Sequence, residues 1–122
     1  MESTIAGNRG EKETSLLESQ FYRKQVKPTL DKLIKDGLPL YYFVKEAGAI
    51  RSLPDIVICC NGHFHAWELK RSLSEMNKTT GRIVLQKYTL SRIQRAKGQA
   101  HLVCPENFQE HLQNMLIQSG LQ

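Results

Sequence analysis

The chain reads as a mixed α/β domain, a mixed sheet flanked by helices. Three observations carry that reading: β-rich runs at 40–44, 55–70 and 100–104, helical apolar spacing on both sides of them, and an Asn-Gly turn inside the middle run. The predicted order is α, β, β, β, α, β, α, and no internal repeat or low-complexity linker interrupts it.

Residues 1–12 lack periodicity and are expected to form a flexible N-terminal arm, leaving 13–122 as a single domain. Thr14 or Ser15 can cap a helix, with Glu18 three residues after Ser15 as in a capping box. That helix continues to about Lys35 on Leu17, Phe21, Leu30, Leu33 and Ile34; Pro28 should kink or divide it, and Gly37 ends it. Leu40-Tyr41-Tyr42-Phe43-Val44 is the first strand, followed by a loop over 46–52 and by Pro54. Asp55 to Cys60 and His63 to Lys70 are strands joined by Asn61-Gly62, the strongest short-range hairpin signal. Leu73 to Gly81 is polar and expected as a loop. Arg82 to Lys97 carries Ile83, Gln86, Leu90 and Ile93 along one helical face and stops at Gly98. Ala100 to Cys104 is the last strand, and Pro105-Glu106-Asn107 opens a final helix bearing Phe108, Leu112, Met115 and Leu116.

With 122 residues, 40% hydrophobic and 24% charged, the composition suits one soluble domain and excludes a disordered or fibrous chain. No apolar run approaches the ~20 residues that cross a bilayer, and the opening MESTIAGNRGEKE has no signal-peptide core. A cytoplasmic protein with no membrane partner is expected. The three cysteines, Cys59, Cys60 and Cys104, imply no disulfide framework, since the adjacent pair points to opposite faces of a strand. Lys plus Arg number 17 against 12 acids, and Lys70 to Lys97 holds most of the excess: Lys70, Arg71, Lys78, Arg82, Lys87, Arg92, Arg95 and Lys97 against Glu75 alone. Such a stretch fits either a phosphate-binding surface or a solvated helix face.

A two-residue turn at Asn61-Gly62 sets Cys60 opposite His63, Ile58 opposite His65, Ile56 opposite Trp67 and Asp55 opposite Glu68. Two acids would then stand roughly 4.5–5.5 Å apart at Cβ, where like charges destabilise a sheet unless a cation lies between them. Period-2 alternation puts Lys70 on the face of Glu68. This grouping suits a hard divalent cation, Mg²⁺ or Mn²⁺, in metal-assisted phosphodiester hydrolysis, with the lysine stabilising charge or orienting water. It equally suits a surface cluster neutralised by its own lysine.

Pro54-Asp55, twelve intervening residues, and Glu68-Leu69-Lys70 resemble the signature of the PD-(D/E)XK nuclease superfamily, with its restriction-endonuclease-like αβββαβ core. Glu18-Ser19-Gln20-Phe21 resembles the first-helix glutamate motif of small phage-type and VRR-NUC-like members. Gln86-Lys87-Tyr88 resembles the glutamine-bearing helix after the signature, and Cys104-Pro105-Glu106-Asn107 the end of the final core strand. The resemblance covers roughly 15–115; Ser52-Leu53 departs from it, since close relatives often have a Gly and a smaller turn there. It implies that Asp55 and Glu68 bind the metal with the Leu69 carbonyl, that Glu18 completes the shell, that Lys70 positions or activates water, and that Gln86 reaches the site from the next helix. Each has a blander reading: Glu18 as a capping acid, Gln86 as a partnered buried amide, Lys70 as a snorkelling strand-end lysine.

The expected function is that of a Mg²⁺-dependent DNA endonuclease, with Mn²⁺ as a substitute and no small-molecule cofactor. Arg71, Lys78, Arg82, Lys87, Arg92 and Arg95 would hold DNA mainly by its backbone, so cutting would be structure-selective or nonspecific. A homodimer would supply the second active site that double-strand cutting needs. The alternatives are a catalytically silent nucleic-acid-binding accessory module of a repair or recombination complex, and an RNA-processing nuclease. Cys60, His63 and His65 share a hairpin face but lack a fourth ligand for zinc. Trp67 and Phe64 are expected to pack under helices rather than to serve as base-stacking platforms, and Tyr41 and Tyr42 have no assigned role.

Overall fold

Asn61 and Gly62 adopt φ of 50° and 86°, the pair of positive values that a two-residue type I′ hairpin turn requires. In the computed structural model, which describes residues 18–46, 53–77 and 81–122, this turn joins β2 (Ile56–Cys60) to β3 (His63–Leu69). Their register is Cys60↔His63, Ile58↔His65 and Ile56↔Trp67, as counted from the turn. β1 (Leu40–Val44) adds antiparallel to the other edge of β2, and β4 (Gln99–Val103) adds parallel to β3. The result is a four-stranded mixed sheet in the order β1-β2-β3-β4.

Around it lie α1 (18–35), the single-turn α2 (Leu73–Met76), α3 (Gly81–Arg95) and α4 (Phe108–Gln118). Strand alternation splits the core in two. Ile56, Ile58, Cys60, Trp67 and Leu69 are buried with Val26 and Leu30 of α1 and with Phe108, Leu112 and Met115 of α4. Phe108 meets Phe21 and Trp67 edge-on, at centroid distances of 5.7 and 6.0 Å. On the opposite face Ala66 and Ala100 are covered by Leu90 of α3, with Ile93 and Leu102 beside them.

The direction of α3 matters for the site. A Cβ on Gly98 would lie 2.9 Å from Ile93 and 3.0 Å from Phe64, so the C-terminal end of α3 sits over the start of β3. Only glycine allows that approach. At ~1.5 Å per residue the helix then carries Gln86 about 10 Å back toward the end of β3, where Glu68 and Lys70 stand.

Several local features depart from the sequence expectation. The expected division of α1 at Pro28 takes the form of a π-helical segment, Tyr22–Val26, in which the Lys27 N–H donates to the Tyr22 carbonyl five residues back. The widened turn directly before Pro28 accommodates a residue that has no N–H to give. The expected loop after Leu73 begins as α2, capped by the Ser72 hydroxyl, which accepts the Glu75 N–H at 3.4 Å. Phe64 is 47% exposed rather than packed: it lies near the start of β3, where the C-terminal end of α3 and Gly98 reach only part of its ring. The N-terminal arm, the Thr14/Ser15 cap and most of the 46–52 loop lie outside the described residues. Among the described residues no helix is long and apolar enough to cross a membrane.

Candidate active site

The antiparallel ladder of β2 and β3 ends at Ile56↔Trp67. The next bonded pair would be Pro54 with Leu69, where proline has no N–H to give the Leu69 carbonyl. The Leu69 N–H donates to the Asp55 side chain, to Oδ2 at 2.8 Å. The Asp55 main chain is held from the other side, its carbonyl accepting the Lys45 N–H at 2.8 Å. Asp55 is thus braced by both neighbouring strands. Lys45 Nζ approaches Asp55 Oδ1 at 3.7 Å and donates to the Leu53 carbonyl at 3.3 Å.

Glu68, 2% exposed, points to the same face as Asp55 and Ala66. Burial first, then the hydrogen bond and charge of Asp55, push its carboxyl up to about 10, while Lys70 and Lys45 act in the opposite direction. At neutral pH the Glu68 carboxyl is therefore held protonated beside Asp55. Lys70 is 3% exposed; its N–H donates to the Val103 carbonyl at 2.8 Å, and its Nζ lies 4.0 Å from Glu18 Oε1. Gln86, on the inner face of α3, is 3% exposed, and its Oε1 has no hydrogen-bond partner among the described residues.

No protein-family model, curated protein or solved structure matches this chain. The site is therefore read from its own chemistry.

The Asp55–Glu68 pair offers hard oxygen donors, and the proton held on Glu68 occupies the place in the charge balance that a divalent cation would take. In that respect the residues present fit Mg²⁺ or Mn²⁺. Among the described residues no three His, Cys, Asp or Glu side chains converge as a metal-holding group, and Glu18 stands beside Lys70. Lys45 was not foreseen as a member of the site. The signal for it lies in the pairing of β1 with β2, which sets Lys45 opposite Asp55 and which the intervening loop conceals in the sequence.

The basic stretch after Lys70 does not form one surface among the described residues. Arg71 holds Glu75 in a fork, with Nε and Nη2 at 2.9 and 2.6 Å from Oε1. Lys87 lines a cavity beyond β4 with His101 and His111, whereas Arg92 lines a groove above β1 and β2. Arg92 and Arg95 belong to the far end of α3, six and nine residues past Gln86. Lys78 and the side chain of Arg82 lie outside the described residues. Of Cys60, His63 and His65, set aside as a zinc site in the sequence, His65 is buried and its Nε2 is 2.9 Å from the Ser119 Oγ at the end of α4.

Proposed function

We propose that the protein is a metal-dependent DNA endonuclease built on a restriction-endonuclease-like core. One observation carries the reading: Asp55 and Glu68 stand opposite each other at the open end of the β2–β3 hairpin, with Glu68 and the Lys70 side chain buried on the same face. A chain gains no stability from burying two acids together; a site that is to hold a cation needs them.

Asp55 and Glu68, with the Leu69 carbonyl, would hold Mg²⁺ or Mn²⁺, which when bound supplies Lewis acidity toward the phosphate and lowers the pKa of water. The Leu69 N–H keeps Asp55 in one orientation. Lys70, steadied by Glu18, presents a positive charge where negative charge develops on the phosphoryl oxygens. The unpartnered Oε1 of Gln86 is an acceptor suited to orienting the attacking water. Because backbone contacts dominate such binding, cutting would be structure-selective or nonspecific.

A second reading has its own observation. Both Asp55 oxygens already face donors, Leu69 N–H and Lys45 Nζ, which compete with a cation and favour a silent nucleic-acid-binding module. The deciding experiment incubates the full chain with labelled single-stranded, duplex, flap and four-way-junction DNA, in Mg²⁺, in Mn²⁺ and in chelator, beside Glu68→Gln. Cleavage that requires metal and disappears in the variant is the expected result. Retardation of DNA without cleavage in any condition would replace the nuclease with the module.

A further inference from the structure

The face of the sheet that α3 leaves open is aromatic. Tyr41, Phe43 and Phe64 are 70%, 56% and 47% exposed, and the register places all three on one side: Tyr41 beside Cys59 and Phe64, Phe43 beside Val57 and Ala66. Aromatic side chains on a sheet are ordinarily covered, because each removes a large apolar area from water when buried. Here no described residue covers them fully, and a groove of about 510 Å³ runs between Phe43, Phe64 and α3. Phe43, Val57 and Phe64 line it together with Leu53, while Lys45 and Arg92 supply its charge; no carboxylate is among the described residues that line it. Its end meets the candidate active site, since Lys45 lines the groove and also contacts Asp55.

We propose that this face is a stacking platform for the unpaired bases of a single-stranded nucleic acid. Three observations select that occupant. Flat rings exposed on an open sheet offer π-faces to bases irrespective of sequence, as sheet platforms for single strands do in general. Two cations, Arg92 and Lys45, the latter also reaching Asp55, line a groove with no carboxylate among its described lining residues and match a polyanionic backbone. The groove leads to Asp55 rather than away from it, so a strand lying on the rings carries a backbone phosphate toward the carboxylate pair. The proposal deepens the nuclease reading and rests on it for the fate of the strand: the substrate would be DNA with a single-stranded portion, such as a flap or a gap.

The test measures binding in chelator, where cleavage does not enter. Fluorescence anisotropy is recorded with a labelled 15-nucleotide oligothymidylate and a blunt duplex of the same length, for the wild type, Phe43→Ala, Phe64→Ala, and the Phe43→Tyr and Phe64→Tyr controls. Each alanine variant should bind the oligothymidylate about ten-fold more weakly, the tyrosine variants should match the wild type, and duplex affinity should change less than two-fold. Circular dichroism confirms that the variants are folded. Unchanged single-strand affinity in both alanine variants overturns the proposal, as does an equal loss on the duplex. A wild type that sediments as a dimer, with alanine variants that sediment as monomers, would assign the face to a second copy of the chain and also overturn it. Aromatic-dependent strand binding by a protein that cuts nothing in Mg²⁺ or Mn²⁺ would keep the platform and remove the nuclease.

Discussion

The Asp55 carboxylate accepts the Leu69 N–H at 2.8 Å, so the acid before β2 is tied to the residue between Glu68 and Lys70. The bond does two things: it satisfies the Leu69 strand donor beyond the end of the β2–β3 ladder, and it fixes the orientation of the Asp55 carboxylate. The two roles separate by substitution. Asp55→Asn retains an oxygen for Leu69 but loses the charge, whereas Asp55→Ala loses both. Both variants should lack metal-dependent cleavage. In urea denaturation Asp55→Ala should be less stable than Asp55→Asn by about 1–3 kcal/mol, the cost of an unmade bond to a buried donor.

Glu68 should behave as a residue retained at the expense of stability. Its folded pKa is raised above the unfolded value, so its favourable contribution is complete below the ordinary carboxylate range and is lost as pH rises toward about 10. In chelator at pH 8, Glu68→Gln should therefore be more stable than the wild type, by about 1–4 kcal/mol. Thermal melts should show that gap narrowing toward pH 5. Added Mn²⁺ should raise the wild-type Tm and leave the variant unchanged.

Gln86 offers the same contrast without a charge. Its buried Oε1 has no partner among the described residues, so Gln86→Leu should stabilise the fold by about 1 kcal/mol in urea while reducing cleavage at least ten-fold. Equal activity with equal stability would assign Gln86 to packing alone.

His65 should set the acid limit of the fold. Burial, with smaller contributions from the charges of His63 and His101, lowers its pKa to about 4, and its Nε2 meets the Ser119 hydroxyl. A histidine held neutral contributes stability that is present above its unfolded value of about 6.5 and is lost as pH falls toward 4. Melts of the wild type should fall across that window. His65→Gln, which can still bond Ser119, should flatten the decline.

How much of the molecule was legible in its sequence depended on the range of the interaction. The Asn61-Gly62 turn and the alternation of Ile56, Ile58 and Cys60 were enough to count the hairpin register, and with it the shared face of Asp55, Glu68 and Lys70. The spacing of Ile83, Gln86, Leu90 and Ile93 likewise placed Gln86 on the buried face of its helix. The placement of the charged stretch from Lys70 to Lys97 was not legible, because closeness in sequence does not place side chains on one surface. Lys87 faces β4 and Arg92 the open face of β1 and β2.

By itself, then, the sequence determined the features that local periodicity dictates: element types, the hairpin, and which residues share a strand face or a helix stripe. Only the tertiary structure decided that Lys45 meets Asp55, that Glu18 stands beside Lys70, and that Tyr41, Phe43 and Phe64 remain uncovered. Those outcomes depend on sheet order and on which strands α3 spans, and both are settled by how whole elements bury their apolar faces against one another.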